Sequence, residues 1–386
     1  MTLAARLRDR KVRDVISQVL VAGGLVLLLV YFVRNASQNM VKAGIASGFD
    51  FLWRGAGIEV PFQLTGYTPS STILGLLGVG VVNTLLVSVV SIAVATVLGF
   101  LIGVARLARN PLLAGIAGAY VEFCRNIPLL FFVLIWYFGV IASMPAPRAS
   151  LSLLGLAYLN NRGLIVPLPA AAASFALVPV VLALGILAQL GVAALSRRRQ
   201  ASTGRTLPVW RIGLGLVVLL PLAAFATASA TTPWDVPTLR GFNYRGGFVL
   251  VPEFVALFAA LSTYTAAFIA EIVRAGILAV PKGQIEAAKA VGLTPSQTLR
   301  LVTVPQALRV MVPPMTSQYL NVVKNSSFGA AIAYPDIVSL FMGSALNNTG
   351  QAIEIIAITL AIYLSISLAV SAFMNWYNAR IALVTR

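Results

Sequence analysis

Gly283-Gln284-Ile285-Glu286-Ala287-Ala288-Lys289-Ala290-Val291-Gly292-Leu293 lies between two strongly apolar runs, 252–278 and 300–323. Pro281 suits a first helical turn, Glu286, Ala287, Ala288 and Ala290 favour helix, and Gly292 suits a C-terminal cap. Thr294-Pro295-Ser296 then reads as a second helix start, with Thr294 as N-cap and Pro295 at the first position. Two short helices joined at a glycine are therefore expected along a membrane surface. Small residues at Ala287, Ala288 and Gly292 admit a partner backbone, and Glu286 offers a fixed charge that orients it. An ordinary amphipathic interfacial loop has the same pattern, so the residues alone leave both readings open.

Composition makes the membrane the setting. Of 386 residues, 59% are hydrophobic and only 10% charged, whereas soluble domains carry about 25% charged residues. A polytopic membrane protein of the all-α class is expected. The net charge of +17 gathers at the ends of apolar runs, which topology explains and nucleic-acid binding does not. With one cysteine, Cys124, and no histidine, disulfide frameworks and His-based metal or acid–base chemistry are excluded. No metal site is expected, and Cys124 reads as a small buried hydrophobe.

About eight spans are expected, near 15–33, 76–105, 116–142, 168–195, 211–230, 252–278, 300–323 and 350–377. The first follows Arg6, Arg8, Arg10, Lys11 and Arg13 and has no small-residue cleavage site after it, so it reads as a retained signal anchor. With both termini cytoplasmic, Arg106, Arg109, Arg197, Arg198, Arg199, Arg205, Arg211, Lys282, Lys289, Arg300, Arg309, Arg380 and Arg386 fall inside, as the positive-inside rule asks. The segments left outside, 34–75, 143–167 and 231–251, are poorer in charge and carry Trp53, Tyr67, Trp234 and Tyr244. The chain divides into an anchor helix with an external loop (1–75), a first patterned part (76–142), an insertion with two extra spans (143–250) and a second patterned part (251–386).

Glu286-Ala287-Ala288, Gly292 and Pro305 resemble the EAA loop of ABC-importer permeases. Gly283-Gln284-Ile285-Glu286-Ala287-Ala288, Val304-Pro305-Gln306-Ala307-Leu308-Arg309, Pro313-Pro314 and Lys324-Asn325-Ser326-Ser327 are similar to the permeases of polar-amino-acid ABC importers. So are Tyr120-Val121-Glu122-Phe123-Cys124-Arg125-Asn126-Ile127-Pro128-Leu129-Leu130 and Glu271-Ile272-Val273-Arg274-Ala275-Gly276-Ile277. The long first external loop and the extra pair of spans look like the Q-type subunit of general L-amino-acid permeases. The resemblance covers 76–142 and 250–380. Two departures stand out. Asn325 replaces the family's usual aspartate, which weakens any role there in holding a cationic substrate. Val304 replaces its usual leucine.

The resemblance implies a type I ABC-importer permease core in the bacterial inner membrane, with 281–305 as a cytoplasmic coupling loop and Gly283, Glu286, Ala287, Ala288, Gly292 and Pro305 as its ATPase-coupling residues. It implies a second permease subunit in a heterodimer, a dimer of ABC ATPase subunits and a periplasmic amino-acid-binding protein as partners, besides membrane lipid. L-amino acids would cross by alternating access. The sequence holds no Gly-x-x-x-x-Gly-Lys-Ser/Thr loop. The chain is therefore expected not to be an enzyme and to bind no cofactor, with ATP and Mg held by the partner ATPase.

Polar groups within spans suggest a substrate pathway, because they are costly in lipid: Asn83, Thr84, Asn126, Tyr264, Thr265, Asn321, Lys324, Asn325, Ser326 and Ser327. Lys324 could receive a substrate carboxylate or simply snorkel to the surface, and Asn, Ser and Thr also join helices. Glu271 with Arg274, and Glu122 with Arg125, are spaced for structural ion pairs. Gly75, Gly78, Gly80, Gly99 and Gly103 suit close packing, within the chain or against a second permease. A secondary transporter would need paired intramembrane carboxylates or inverted halves, and a membrane enzyme more acid–base groups; neither is visible.

Overall fold

The computed structural model describes residues 10–42, 48–204 and 207–381. Arg6, Arg8, Arg205 and Arg386 lie outside the described residues. The chain is mostly helical and forms two compact units. The first comprises Met1–Leu86, Tyr319–Ala330 and Pro335–Arg386, and the second Val87–Gln318 and Ala331–Tyr334.

In the first unit, α1 (Arg10–Lys42) leads the chain. Its apolar stretch Ile16–Asn35 has none of its window buried. The segment expected outside, from Gly48 on, is no loose loop. Asp50–Trp53 makes a short 3-10 turn, and Gly55 bridges Thr72. Phe51 is fully buried, against Phe341 at a ring separation of 6.4 Å. The Tyr67 hydroxyl donates to the Ile58 carbonyl at 2.9 Å. Here aromatic side chains bury more area than the short turn alone could organise. The start of α2 (Ile73–Ala105) completes this core with Leu76 and Val79, and a wide π turn, Val338–Ala345, supplies Leu340 and Phe341.

The second unit is organised by α8. Chain order there gives the second half of α2, then α3 (Pro111–Asn126) and α4 (Leu129–Leu134), which widens into a π turn over Ile135–Ile141. Next come β1 (Leu151–Leu153), β2 (Ala157–Asn160), β3 (Gly163–Val166) and β4 (Leu168–Pro169). Helix α5 (Leu177–Thr203) is followed by α6 (Val209–Gly213), a π turn and α7 (Leu220–Thr231). Strands β5 (Trp234–Asp235), β6 (Thr238–Arg240), β7 (Asn243–Arg245) and β8 (Phe248–Leu250) lead into α8 (Pro252–Leu278). The loop helices α9 (Lys282–Ala290) and α10 (Pro295–Thr298) precede α11 (Val304–Asn325). After it, α12 (Leu346–Thr349) and α13 (Ala352–Ile381) belong to the first unit.

Helix α8 is the most enclosed span, with 56% of its apolar window buried. Close approach by α2 makes this so. A Cβ on Gly103 would lie 2.7 Å from Val273 Cβ and from the Ala270 carbonyl oxygen, and one on Gly99 would meet Ile269. These two glycines therefore serve packing within the chain. At the foot of the pair, Arg106 and Arg274 both bond the carboxylate of Glu271, Arg274 at 2.6 Å. The triad lets a carboxylate sit at a helix contact without an uncompensated charge.

Three expectations are revised. Among the described residues, six helices are long and apolar enough to span, seven if the bent pair Pro111–Asn126 and Leu129–Ile141 counts as one. That pair bends by 108° at Ile127–Pro128, because proline disfavours helix at the residue before it. The segment expected to span at 300–323 is helical, but Arg300, Gln306, Arg309, Pro313 and Pro314 make it less apolar than those six. The span expected from 168 begins at Leu177, since Leu168 and Pro169 are in a strand.

The 143–250 segment also holds β structure that hydropathy did not show. β1, β2, β3 and β8 form an antiparallel sheet in that order, and β4–β5 and β6–β7 form two ribbons. The β1–β2 turn puts Leu154 at φ 57° and Gly155 at φ 70°. A leucine there costs about 1–3 kcal/mol of backbone strain, and its side chain is 97% exposed.

Gly103→Leu is expected to separate α2 from α8, costing about 1–3 kcal/mol by overpacking. Thermal unfolding in detergent should show a lowered midpoint, while Gly78→Leu, where an added Cβ meets nothing within 4 Å, should not.

Candidate functional site

The loop between α8 and α11 is locked by local chemistry. Gly292 adopts φ 83°, the left-handed conformation that a side chain disfavours. There its N–H donates to Lys289 O at 2.9 Å and the Leu293 N–H to Ala288 O at 3.1 Å. This is a Schellman cap, which satisfies the last carbonyls of α9. Thr294 and Gln297 then form a reciprocal capping box at the start of α10. Pro281 sits at the N-cap of α9, one residue before the first helical position. Across the loop, Gln306 Nε2 donates to Gln284 Oε1 at 3.5 Å. A wide π turn, Leu299–Thr303, precedes Pro305, whose missing N–H disfavours a regular α turn there.

This leaves one face of α9 open. Ala288 is buried, whereas Gly283, Glu286, Ala287 and Gly292 are exposed. A Cβ added at Gly283 or Gly292 would meet nothing within 4 Å. Val291, a residue the sequence reading passed over, is 77% exposed beside the glycine. The face thus joins a carboxylate, small residues and one apolar knob. Pro305 is half-buried at the base of α11. Beneath it a cavity of about 490 Å³ is lined by Phe100, Val104, Leu113, Ile277, Val304 and Leu308 among others.

The expected pathway residues divide between the units. In the first, Asn83 and Thr84 are fully buried. Asn83 Nδ2 donates to Phe62 O at 3.0 Å and to Pro335 O at 2.9 Å, and Thr84 Oγ1 accepts from Ile337 N–H at 3.2 Å. Both hold the turn carrying Asp336, which the sequence reading missed. Asp336 is fully buried; its Oδ1 caps the following helix by accepting from Ser339 N–H at 2.7 Å, and its Oδ2 has no hydrogen-bond partner. The Tyr363 hydroxyl faces Thr84, Ser326 and Asp336. Tyr363 also lines a cavity of about 420 Å³ with Lys324, Ser327 and Thr359. The signal for Asp336 was a lone acid in an apolar stretch; nothing in the sequence paired it with Asn83. Asn321 and Lys324 are exposed, and Asn325 is half-buried. Ser326 and Ser327 bond back to the carbonyls of Val323 and Lys324 at 2.8 and 2.7 Å.

In the second unit, Tyr264 packs edge-on against Phe132 at 5.6 Å and beside Phe268 at 5.0 Å. Thr265 is buried, and Asn126 is exposed at the end of α3. Glu271 and Arg274 are paired, with Arg106 as a third member. The pairing expected of Glu122 and Arg125 is absent among the described residues. Both are exposed, and the Arg125 guanidinium instead lies 5.7 Å from the centre of the Phe268 ring. A cation over an aromatic face competes well with a solvated ion pair.

The family described as binding-protein-dependent transport system inner membrane component matches residues 198–383. The putative amino-acid ABC transporter permease protein YhdX of Escherichia coli (strain K12) is 49% identical, over 97% of this chain and 95% of its own. The general L-amino acid transport system permease protein AapQ of Rhizobium johnstonii is 47% identical, over 98% and 94%. The glutamate/glutamine/aspartate/asparagine transport system permease protein BztB of Rhodobacter capsulatus is 39% identical, over 100% and 97%. Among solved structures, an amino acid ABC transporter crystallised with histidines aligns with 80% of this chain and 94% of its own at 19% identity, with a TM-score of 0.48.

Gly292→Ala is expected to weaken the Schellman cap by about 1–2 kcal/mol. Amide hydrogen exchange from Ala287 to Leu293 should then accelerate about tenfold, with exchange in α8 unchanged.

Proposed function

The chain belongs to the amino-acid ABC importer permeases, non-catalytic multi-pass membrane subunits, and from that premise we propose that its α9 face is the socket through which a separate ATPase drives it. The observation that carries this reading is the open face itself. Glu286, Ala287, Gly283 and Gly292 are presented on a helix capped at its C-terminus and bonded to α11. A rigid, small-residue face lets a partner approach its backbone, and a rigid link passes a push into the spans instead of dissipating it. The apolar cavity at the foot of α8 and α11 leaves those helices room to shift.

Both termini are then cytoplasmic, on the ATPase side with α9. ATP and Mg reside in the ATPase pair, a second permease completes the pathway, and a periplasmic binding protein delivers an L-amino acid. Closure and opening of the ATPases supply the two states that alternating access requires. The chain divides functionally as its composition suggests, into 1–75, 76–142, 143–250 and 251–386, with coupling at 281–305. The substrate passes the exposed Lys324, whose ammonium suits its carboxylate. Within the first unit, Asn83, Thr84, Asn321, Asn325, Ser326 and Ser327 line or brace this route; in the second unit, Asn126, Tyr264 and Thr265 are the polar groups held within its own helices.

Glu286→Lys and Gly292→Asp are expected to abolish amino-acid uptake while the protein remains in the membrane. Normal uptake by a variant that co-purifies with its ATPase would sink the coupling reading. Lys324→Ala is expected to raise the KM for uptake by about tenfold with ATPase association unchanged; an unaltered KM would remove Lys324 from the route.

A further inference from the structure

The positive-inside rule makes Lys and Arg scarce on the outer face, yet the outer loops of the 143–250 segment carry Arg148, Arg162, Arg240 and Arg245. Asp235 is the one acid from 143 to 250, and its carboxylate is engaged by the Gly247 N–H at 3.0 Å. The cap built from these loops and the α9 socket stand at opposite ends of α8, so the cap lies on the side away from the ATPase.

The cap is preorganised. Arg148 stacks on Phe242 at 4.1 Å and donates to Gly241 O at 3.2 Å. Tyr158 stacks on Tyr244 at 4.5 Å, and Arg162 bonds the Asn243 side chain. These contacts tie the β1–β3 sheet to the β6–β7 ribbon. In that ribbon Thr238 opposes Arg245 and Arg240 opposes Asn243. Arg240 and Arg245 therefore share one face, on which Arg162 also converges through Asn243. Like charges gathered on one ribbon face oppose folding, and no described ion pair relieves them. On the same two segments, Leu154, at positive φ, is 97% exposed, and Phe242 is 72% exposed. A strained residue exposed to solvent gains nothing from the fold, which points to a contact outside the chain.

We propose that this cap docks an acidic, carboxylate-bearing face of the soluble binding protein, with Arg162, Arg240 and Arg245 pairing its carboxylates and Leu154 and Phe242 filling apolar depressions. The inference rests on the reading that such a protein feeds the chain. The composition favours a protein over lipid headgroups. The cap uses arginine with no lysine, alongside Tyr, Phe and Leu, and arginine and aromatics are enriched at protein interfaces while lysine is depleted.

The test uses the full complex in nanodiscs, titrated with its binding protein, with stimulated ATPase activity as the readout. R240E/R245E is expected to raise the half-maximal binding-protein concentration at low salt by about tenfold or more and to flatten its salt dependence. Basal ATPase activity and maximal stimulation should hold. L154G relieves the positive φ, so it should unfold no earlier than the native chain, yet it should also raise the half-maximal concentration. R240Q/R245Q serves if charge reversal prevents assembly. Native titration curves from these variants would overturn the proposal. It would equally be overturned if the variants changed activity only between anionic and zwitterionic nanodiscs, since lipid would then be the ligand. A native complex that no binding protein stimulates would instead refute the proposed function, a separate outcome.

Discussion

Helix α8 links the two ends of the second unit because Gly99 and Gly103 let α2 lie directly against it. Lipid offers helices no hydrophobic reason to associate, so packing depth and paired polar groups must hold them. The glycines supply the depth, and the Arg106–Glu271–Arg274 triad fastens the foot of the pair. With α8 held, the capped α9 at one end and the braced sheet at the other become fixed features of one body. A load applied to α9 meets a packed helix, not a swinging loop.

Much of the loop was legible because its signals are local. Gly292, Thr294 and Pro295 act within a turn of themselves, and their caps need no tertiary partner. The membrane class was equally plain from a composition with too little polar surface for water. The number of spans was less so. Length and hydropathy do not see the break at Ile127–Pro128.

The polar cluster and the cap lay beyond sequence reading for one reason: their partners are distant in the chain. Asn83 meets Pro335, and Leu164 pairs with Leu250. Short strands such as Leu151–Leu153, with every residue exposed, carry no buried face to impose an alternation on the sequence. Glu122 and Arg125 illustrate the converse error. Their spacing permits an ion pair, but Phe268, on another helix, offers the guanidinium a better surface.

By itself the sequence determined the helical membrane architecture and the two-helix loop with its glycine cap, because hydropathy, caps and turn chemistry act over a few residues. Only the tertiary structure decided that Gly99 and Gly103 serve contacts within the chain, that Asp336 is buried behind Tyr363, and that the segments 143–167 and 231–251 meet through β3 and β8. Those outcomes depend on which surfaces meet across long loops, and no local rule encodes that choice.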